Sequence, residues 1–305
     1  AWHHSLLDAH GAEMAIAQIL EELAAQISEP QPSSTLQTKI ILSPFKDLSK
    51  TWKALNAAKK AIFQKSSGKI STQIGETRSK SKQRYLIVHL STEQQSGLEQ
   101  NYERFSMGFF KSAYHLACVS KAFQTVRDEL NYSAEDLCVV VPHDLRRSVK
   151  HREIISDKLS SLFFRLPSDG CTIQQLTDQI VDQLQDMVAS RFADNLRIFF
   201  NVIKLLPRQL ASALVKKPSQ SKICSFYFSD TGDKISQLKD IGSSKITDVT
   251  HYPPLLTPPP FSVVFSKYDS RMKIIMTFDD NKISKETMSK FAQIITELLS
   301  GLKNA

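Results

Sequence analysis

Apolar residues return along this chain at two spacings, and the switches between them mark out its elements. In residues 12–27, Ile16, Ile19, Leu20, Leu23 and Ile27 recur mostly at three- and four-residue steps, which predicts an amphipathic helix. Pro30 and Pro32 end it, and the polar stretch to Thr38 reads as a loop. Residues 40–65 are predicted mostly helical after Pro44, with Leu48, Trp52, Leu55, Ala58 and Ile62 on one face and lysines on the other. Residues 66–83 are rich in Ser, Lys, Thr and Gln and read as a surface loop or crossover.

The pattern then changes. Residues 85–91 read as a strand, and Ser91-Thr92-Glu93-Gln94 as the cap of a helix. After a break near 106–108, a second helix is predicted over 109–130, with Phe109, Ala113, Leu116, Ala117, Phe123 and Leu130 near one face. His115 lies on this apolar helix and reads as a packed or edge histidine. The run 137–142 is continuously apolar, as suits a strand covered on both faces, and 159–166 is another strand closed by Pro167. Thr172 opens a helical stretch through Ala189 and onward to Leu214, broken at Pro207. Residues 223–228 form a strand left by the turn Ser229-Asp230-Thr231-Gly232-Asp233. After a proline-rich loop at 253–260 come strands 261–266 and 271–278, joined by a hairpin turn at 267–270. Ser284 caps a final helix through Leu302, with Met288, Phe291, Ile294, Ile295 and Leu298 facing inward. Helices and strands thus mix along the whole chain, an α/β pattern with no internal repeat.

Composition narrows the class only a little. The 305 residues are 41% hydrophobic and 23% charged, ordinary for a soluble globular protein. No apolar run is long enough to span a bilayer, and no secretory signal is visible. The four cysteines are far apart and form no C-x-x-C pair, so they read as reduced thiols in a cytoplasmic protein, not as disulfides or a zinc site. Lys+Arg exceed Asp+Glu by 39 − 31 = 8. The lysines are scattered, with no basic stripe interleaved with aromatics, so nucleic acid is not the predicted partner. The excess serves solubility, and it also suits a phosphate-bearing donor or an anionic membrane surface.

The candidate chemistry lies at the start. Trp2-His3-His4-Ser5-Leu6-Leu7-Asp8-Ala9-His10-Gly11 sets two adjacent histidines four residues before an aspartate, in a loop just ahead of a helix. A neutral imidazole is the usual group for taking a proton from a hydroxyl or amine near neutral pH. The same residues also fit an exposed polar terminus, and three histidines with a carboxylate fit a zinc ligand set.

This arrangement resembles the His-His-x-x-x-Asp-Gly signature of the chloramphenicol acetyltransferase and condensation-domain superfamily. That group includes wax ester synthase/diacylglycerol acyltransferases and the condensation domains of nonribosomal peptide synthetases. Here Ala9 follows the aspartate, and the nearest glycine is Gly11. The run Pro142-His143-Asp144-Leu145-Arg146, at the end of a strand behind two helices, is similar to a Pro-x-Asp-Leu-Arg block in the same enzymes. The Ser229–Gly232 turn stands in the place of their Ser/Asn-x-x-Gly turn.

The resemblance implies a two-lobed chloramphenicol acetyltransferase-like sandwich, with mixed sheets flanked by helices and an incomplete N-terminal lobe. Residues 1–65 are the remainder of that lobe, 66–84 the crossover and 85–305 the C-terminal lobe. A strand-rich segment precedes the histidine motif in these families. The chain therefore reads as part of a longer protein, or as one completed by a separate chain. The implied activity is acyl transfer from a thioester to a hydroxyl or amine. His4 is the general base, flanked by His3, and Asp8 is mainly structural. Ser229 and Thr231 are candidate oxyanion or substrate donors. Arg146, then Arg147, is the candidate partner of Asp8, and His10 and His143 are possible substitutes for His4. No tightly bound cofactor is implied. The co-substrate is acyl-coenzyme A or an acyl-carrier phosphopantetheine, and the partners are an acceptor, a carrier protein and, peripherally, a membrane. A carrier-fed condensation domain and a non-catalytic binding module are the alternatives.

Overall fold

The computed structural model describes residues 82–106, 110–132, 136–145, 159–167, 169–207, 224–232, 239–241, 244–255 and 259–302, with Ala12, Ala15, Ile16, Ile19, Leu20, Trp52, Asn56 and Gln209 singly. The singly described residues between 12 and 56 are helical. The remainder of the helices expected at 12–27 and 40–65, and the loop at 66–81, lie outside the described residues.

In chain order the elements are β1 (Gln83–His89), α1 (Thr92–Ser106), α2 (Lys111–Glu129), β2 (Leu137–Asp144), β3 (Leu159–Leu166), α3 (Ile173–Ala189), α4 (Phe192–Lys204) and β4 (Phe226–Asp230). Two short strands follow, β5 (Asp240–Ile241) and β6 (Ser244–Lys245), then β7 (Phe261–Tyr268), β8 (Arg271–Asp279) and α5 (Lys285–Ser300). The main sheet has six strands in the order β1-β8-β7-β4-β2-β3. It is mixed: β4 runs parallel to both β2 and β7, and the remaining pairs are antiparallel.

Side chains alternate across each strand, so one face of the sheet receives the helices. Phe226, Phe228, Phe261, Val263, Phe265, Ile274, Met276 and Phe278 point to that face and join one core with α1, α2 and α5. Phe123, Phe226 and Phe261 stack there at centroid distances of 5.2–5.9 Å. Helix α2 lies in the middle of this layer and is buried almost all round from Ala113 to Arg127. This explains why its apolar residues extend beyond the single face expected, whereas Leu130, expected on that face, is 42% exposed just past the helix end. The opposite face of β7 and β8 carries Ser262, Val264, Ser266, Lys273, Ile275 and Thr277, also buried. Residues 246–255 are pinned across it by Tyr268, Arg271, Lys273 and Thr277.

Three helix starts follow local chemistry. Ser91 and Gln94 cap α1 reciprocally, as do Thr172 and Gln175 at α3, and the Ser284 hydroxyl accepts from the Thr287 N–H at α5. The β7–β8 turn is tighter than expected, with only Asp269 and Ser270 outside the strands, both at positive φ (47° and 64°). Strand β2 runs on through Pro142 to Asp144. Its pairing with β4 involves Val139 and Val140, so Pro142, which lacks an N–H, lies where only β3 is paired.

One expectation is corrected. The stretch after Thr172 breaks at Ser190-Arg191, well before Pro207. Arg191 takes a left-handed conformation, φ 51°, and α4 starts after it. Helix α4 packs on β3, where the Ser160 hydroxyl donates to the Ala193 carbonyl at 2.7 Å and Phe192 meets Phe163 edge to face. Tertiary packing sets this break, since neither glycine nor proline occurs there.

Candidate active site

The turn that leaves β4 is the part of the sequence-predicted site that the structure describes. Strand alternation puts Phe226, Phe228 and Asp230 on the helix-covered face, and Tyr227 and Ser229 on the other. Ser229 is half-buried, and its hydroxyl makes no hydrogen bond among the described residues. Thr231 is differently placed. Its N–H and its hydroxyl both donate to the Phe265 carbonyl, at 2.9 and 3.1 Å. Lys267 N–H in turn donates to the Gly232 carbonyl at 3.1 Å. The turn is thereby bound to β7 through its backbone.

Asp230 binds the same turn to the helices. One carboxylate oxygen accepts from His115 Nδ1 at 2.8 Å and from the Ser112 hydroxyl at 2.7 Å, and the other accepts from the Gly232 N–H at 3.1 Å. His115 is 2% exposed, and its ring stacks on Phe265 with centroids 4.5 Å apart and planes 10° from parallel. Its Nε2 lies 2.6 Å from the Tyr102 hydroxyl. Burial, with the Asp230 and Glu99 charges behind it, raises the Tyr102 pKa far above the usual phenol range, so the phenol keeps its proton. His115 Nδ1–H donates to the Asp230 carboxylate, and a hydrogen bond between His115 Nε2 and the Tyr102 hydroxyl extends the line into α1. Burial alone pushes the Asp230 carboxyl up. The hydrogen bond and charge of His115, with Ser112 and the Gly232 N–H, outweigh it and hold the pKa below the ordinary carboxylate value.

Sequence reasoning placed His115 correctly as a packed histidine but did not find this network. Residues 115 and 230 are 115 positions apart, and no local pattern joins them. The one available signal was an imidazole inside an apolar helix, which requires polar partners once buried. His143 is half-buried on β2, opposite Ser160. His3, His4, Asp8, His10, Arg146 and Arg147 lie outside the described residues.

The cysteines are free thiols, three of them buried. Burial raises Cys118 to about 12 and Cys138 to about 11, which leaves neither as a ready nucleophile. Among the described residues, no group of His, Cys, Asp and Glu could hold a metal ion, and no helix is long and apolar enough to cross a membrane.

No family model matches the chain, and no curated protein matches it in sequence. Solved structures do match it. It is similar to the trichothecene 15-O-acetyltransferase from Fusarium sporotrichioides, with a TM-score of 0.66 and 14% identity over 98% of this chain and 64% of that one. The first condensation domain of the CDA synthetase matches with a TM-score of 0.62 and 13% identity, over 98% of this chain and 62% of that one. Polyketide synthase associated protein 5 from Mycobacterium tuberculosis matches at 0.61 and 13%, over 98% and 72%. The chain therefore has the chloramphenicol acetyltransferase-like, condensation-type α/β fold that the sequence resemblance implied. It spans less than two thirds of the length of the first two of these structures.

Proposed function

We propose that this protein transfers an acyl group from a thioester to a hydroxyl or amine acceptor, with His4 as the general base. One combination carries this reading. A chain with the condensation-type fold also holds the His3-His4 pair with Asp8 four residues after the second histidine, together with a Ser229 hydroxyl on β4 that makes no hydrogen bond among the described residues. An acetyltransferase and a condensation domain among the similar structures support the same reaction class.

In this mechanism the neutral His4 imidazole takes the acceptor's proton as its oxygen or nitrogen attacks the thioester carbonyl. The carbonyl oxygen becomes a tetrahedral oxyanion. Its collapse re-forms the carbonyl and breaks the carbon–sulfur bond, and the departing thiolate takes the proton from His4. The oxyanion needs a donor. Ser229 suits the role better than Thr231, whose hydroxyl proton is already engaged by Phe265. Asp8 holds the histidine loop through a carboxylate–guanidinium pair with Arg146, and His3 flanks the base. Residues 1–65 belong to the N-terminal lobe, 66–84 to the crossover and 85–305 to the C-terminal lobe. The thioester is acyl-coenzyme A, and the protein works in the cytoplasm or peripherally at a membrane.

The test uses the full-length protein with acetyl-, octanoyl- and palmitoyl-coenzyme A against a panel of alcohols and amines, following thiol release. His4→Ala should lower kcat by about 10²–10⁴-fold without unfolding the protein. A His4→Ala variant as active as the wild type overturns the assignment. The match to a condensation domain favours one second reading, in which the donor is an acyl-carrier protein. Turnover with the loaded carrier and none with free acyl-coenzyme A would establish that version.

A further inference from the structure

Resting on the acyl-transfer reading, we propose that His115 is a positioning residue that sets Ser229 for the developing oxyanion. His115 touches no substrate in this scheme and acts through Asp230.

Ser229 and Asp230 share a peptide unit and point to opposite faces of the sheet. The hydrogen bonds that hold Asp230 to the helices therefore also restrain the backbone from which Ser229 projects. The carboxylate is held on every side. His115 and Ser112 take one oxygen, the Gly232 N–H takes the other, and only 10% of the side chain is exposed. His115 is itself fixed twice, by the Tyr102 hydroxyl at its far nitrogen and by the Phe265 ring stacked on its plane. Phe265 closes the loop, because its carbonyl receives both donors of Thr231. Helices α1 and α2 and strand β7 thus converge on one turn through one imidazole. Ser112 lies near solvent and Tyr102 does not (3% exposed), so the Tyr102–His115–Asp230 line is the rigid arm of the clamp.

A buried His–Asp pair could equally be a stability device, and the two roles predict different data. A stability device lowers the melting temperature and the fraction of active protein. A positioning device lowers kcat of the folded protein, leaves KM nearly unchanged and frees the turn locally. Three variants separate them. His115→Phe keeps the stack on Phe265 and removes both hydrogen bonds. His115→Asn restores a donor near the Nδ1 position. Tyr102→Phe removes only the phenol hydroxyl and keeps the core filled, so it remains informative if His115→Phe does not fold.

With acyl-coenzyme A as donor, His115→Phe should lower kcat on the order of 10–100-fold with KM within about twofold. His115→Asn should recover most of the loss. Tyr102→Phe should lower kcat by about 3–10-fold, the worth of one neutral hydrogen bond. Hydrogen exchange of the Gly232 amide should quicken at least about tenfold in His115→Phe, while amides on α5 stay unchanged. An active wild type whose kcat is unaltered in both His115→Phe and Tyr102→Phe overturns this proposal alone. A wild type that moves no acyl group overturns the reading beneath it as well.

Discussion

Phe261 and Ser262 are neighbours on β7, both out of solvent, and they face opposite ways. Phe261 enters a layer of rings and aliphatic chains against α2 and α5, touching Phe123, Phe226 and Phe291. Ser262 shares its face with Ser266, Lys273 and Thr277, under residues 246–255. One side of the sheet is sealed mostly by apolar packing, with the buried His115–Asp230 pair within it. The other is sealed by a strap whose carbonyls and carboxylate are held by side chains of β7 and β8. The first kind of burial is tolerant of detail and large in energy; the second is small in energy and exacting in geometry.

The sharpest way to break this contrast is on the packed side. Phe261→Ala removes a fully buried ring and leaves a cavity among three aromatic neighbours, so unfolding free energy should fall by about 3–5 kcal/mol. Denaturant titration with an unchanged m-value checks it. A loss below ~1 kcal/mol would mean that the helices collapse into the space and that the core is not close-packed.

That side was also the part legible in the sequence. Met288, Phe291 and Ile295 recur at helical spacing, and the paired strands β7 and β8 follow from two apolar runs around a short polar turn. The histidine motif can be picked out for a similar reason, its residues being close together, and it lies outside the described residues. The strap was not, because Lys273 and Asp248 are 25 positions apart and a lysine within a strand ordinarily marks a solvated face. The His115–Asp230 clamp and the break at Arg191 also escaped, since each depends on contacts between elements distant in sequence.

On the strapped side, Lys273 is almost fully buried, with its ammonium donating to Asp248, to the Val249 carbonyl at 2.7 Å and to Thr250 Oγ1 at 3.0 Å. The pair is asymmetric, because Asp248 keeps 44% of its side chain exposed. Asp248→Ala leaves a buried cation short of a partner and should cost about 1–3 kcal/mol. Lys273→Met leaves only a carboxylate that water can reach, and should cost less, under about 1.5 kcal/mol. The double variant should be more stable than Asp248→Ala alone. A double-mutant cycle reads this order, and its reversal would show that the strap depends on the lysine stem and not on the charge.

Acid sharpens the same point. Burial raises the Asp248 carboxyl, but the hydrogen bond and charge of Lys273 outweigh it and leave its pKa below the ordinary value; Asp230 is lowered in the same sense by His115. Groups lowered on folding bind fewer protons in the folded state. Their contribution is complete above the unfolded carboxylate pKa of about 3.9 and is lost as pH falls through the lower folded value. Wild-type stability should therefore decline as pH drops below about 4. The decline should be shallower in Asp248→Ala and in Asp230→Asn. Melting temperatures across pH 2–6 (a range of about four units) test it. Equal slopes in all three proteins would remove these carboxylates from the account.

The smallest expected effect returns to Ser262. Its hydroxyl is buried and has no hydrogen-bond partner among the described residues, although the residue is paired on both sides, with Tyr227 and Thr277. A buried hydroxyl left unpaired is a cost, and deleting its oxygen removes that cost together with a few van der Waals contacts. Ser262→Ala should thus be neutral or stabilising by up to about 1 kcal/mol, opposite in sign to the change at its neighbour Phe261. If the strapped face were sealed by close packing, losing an atom there would destabilise. A measured loss of more than ~1 kcal/mol in Ser262→Ala would mean that the hydroxyl is held by a partner, and the strapped face would then be one of satisfied polar burial.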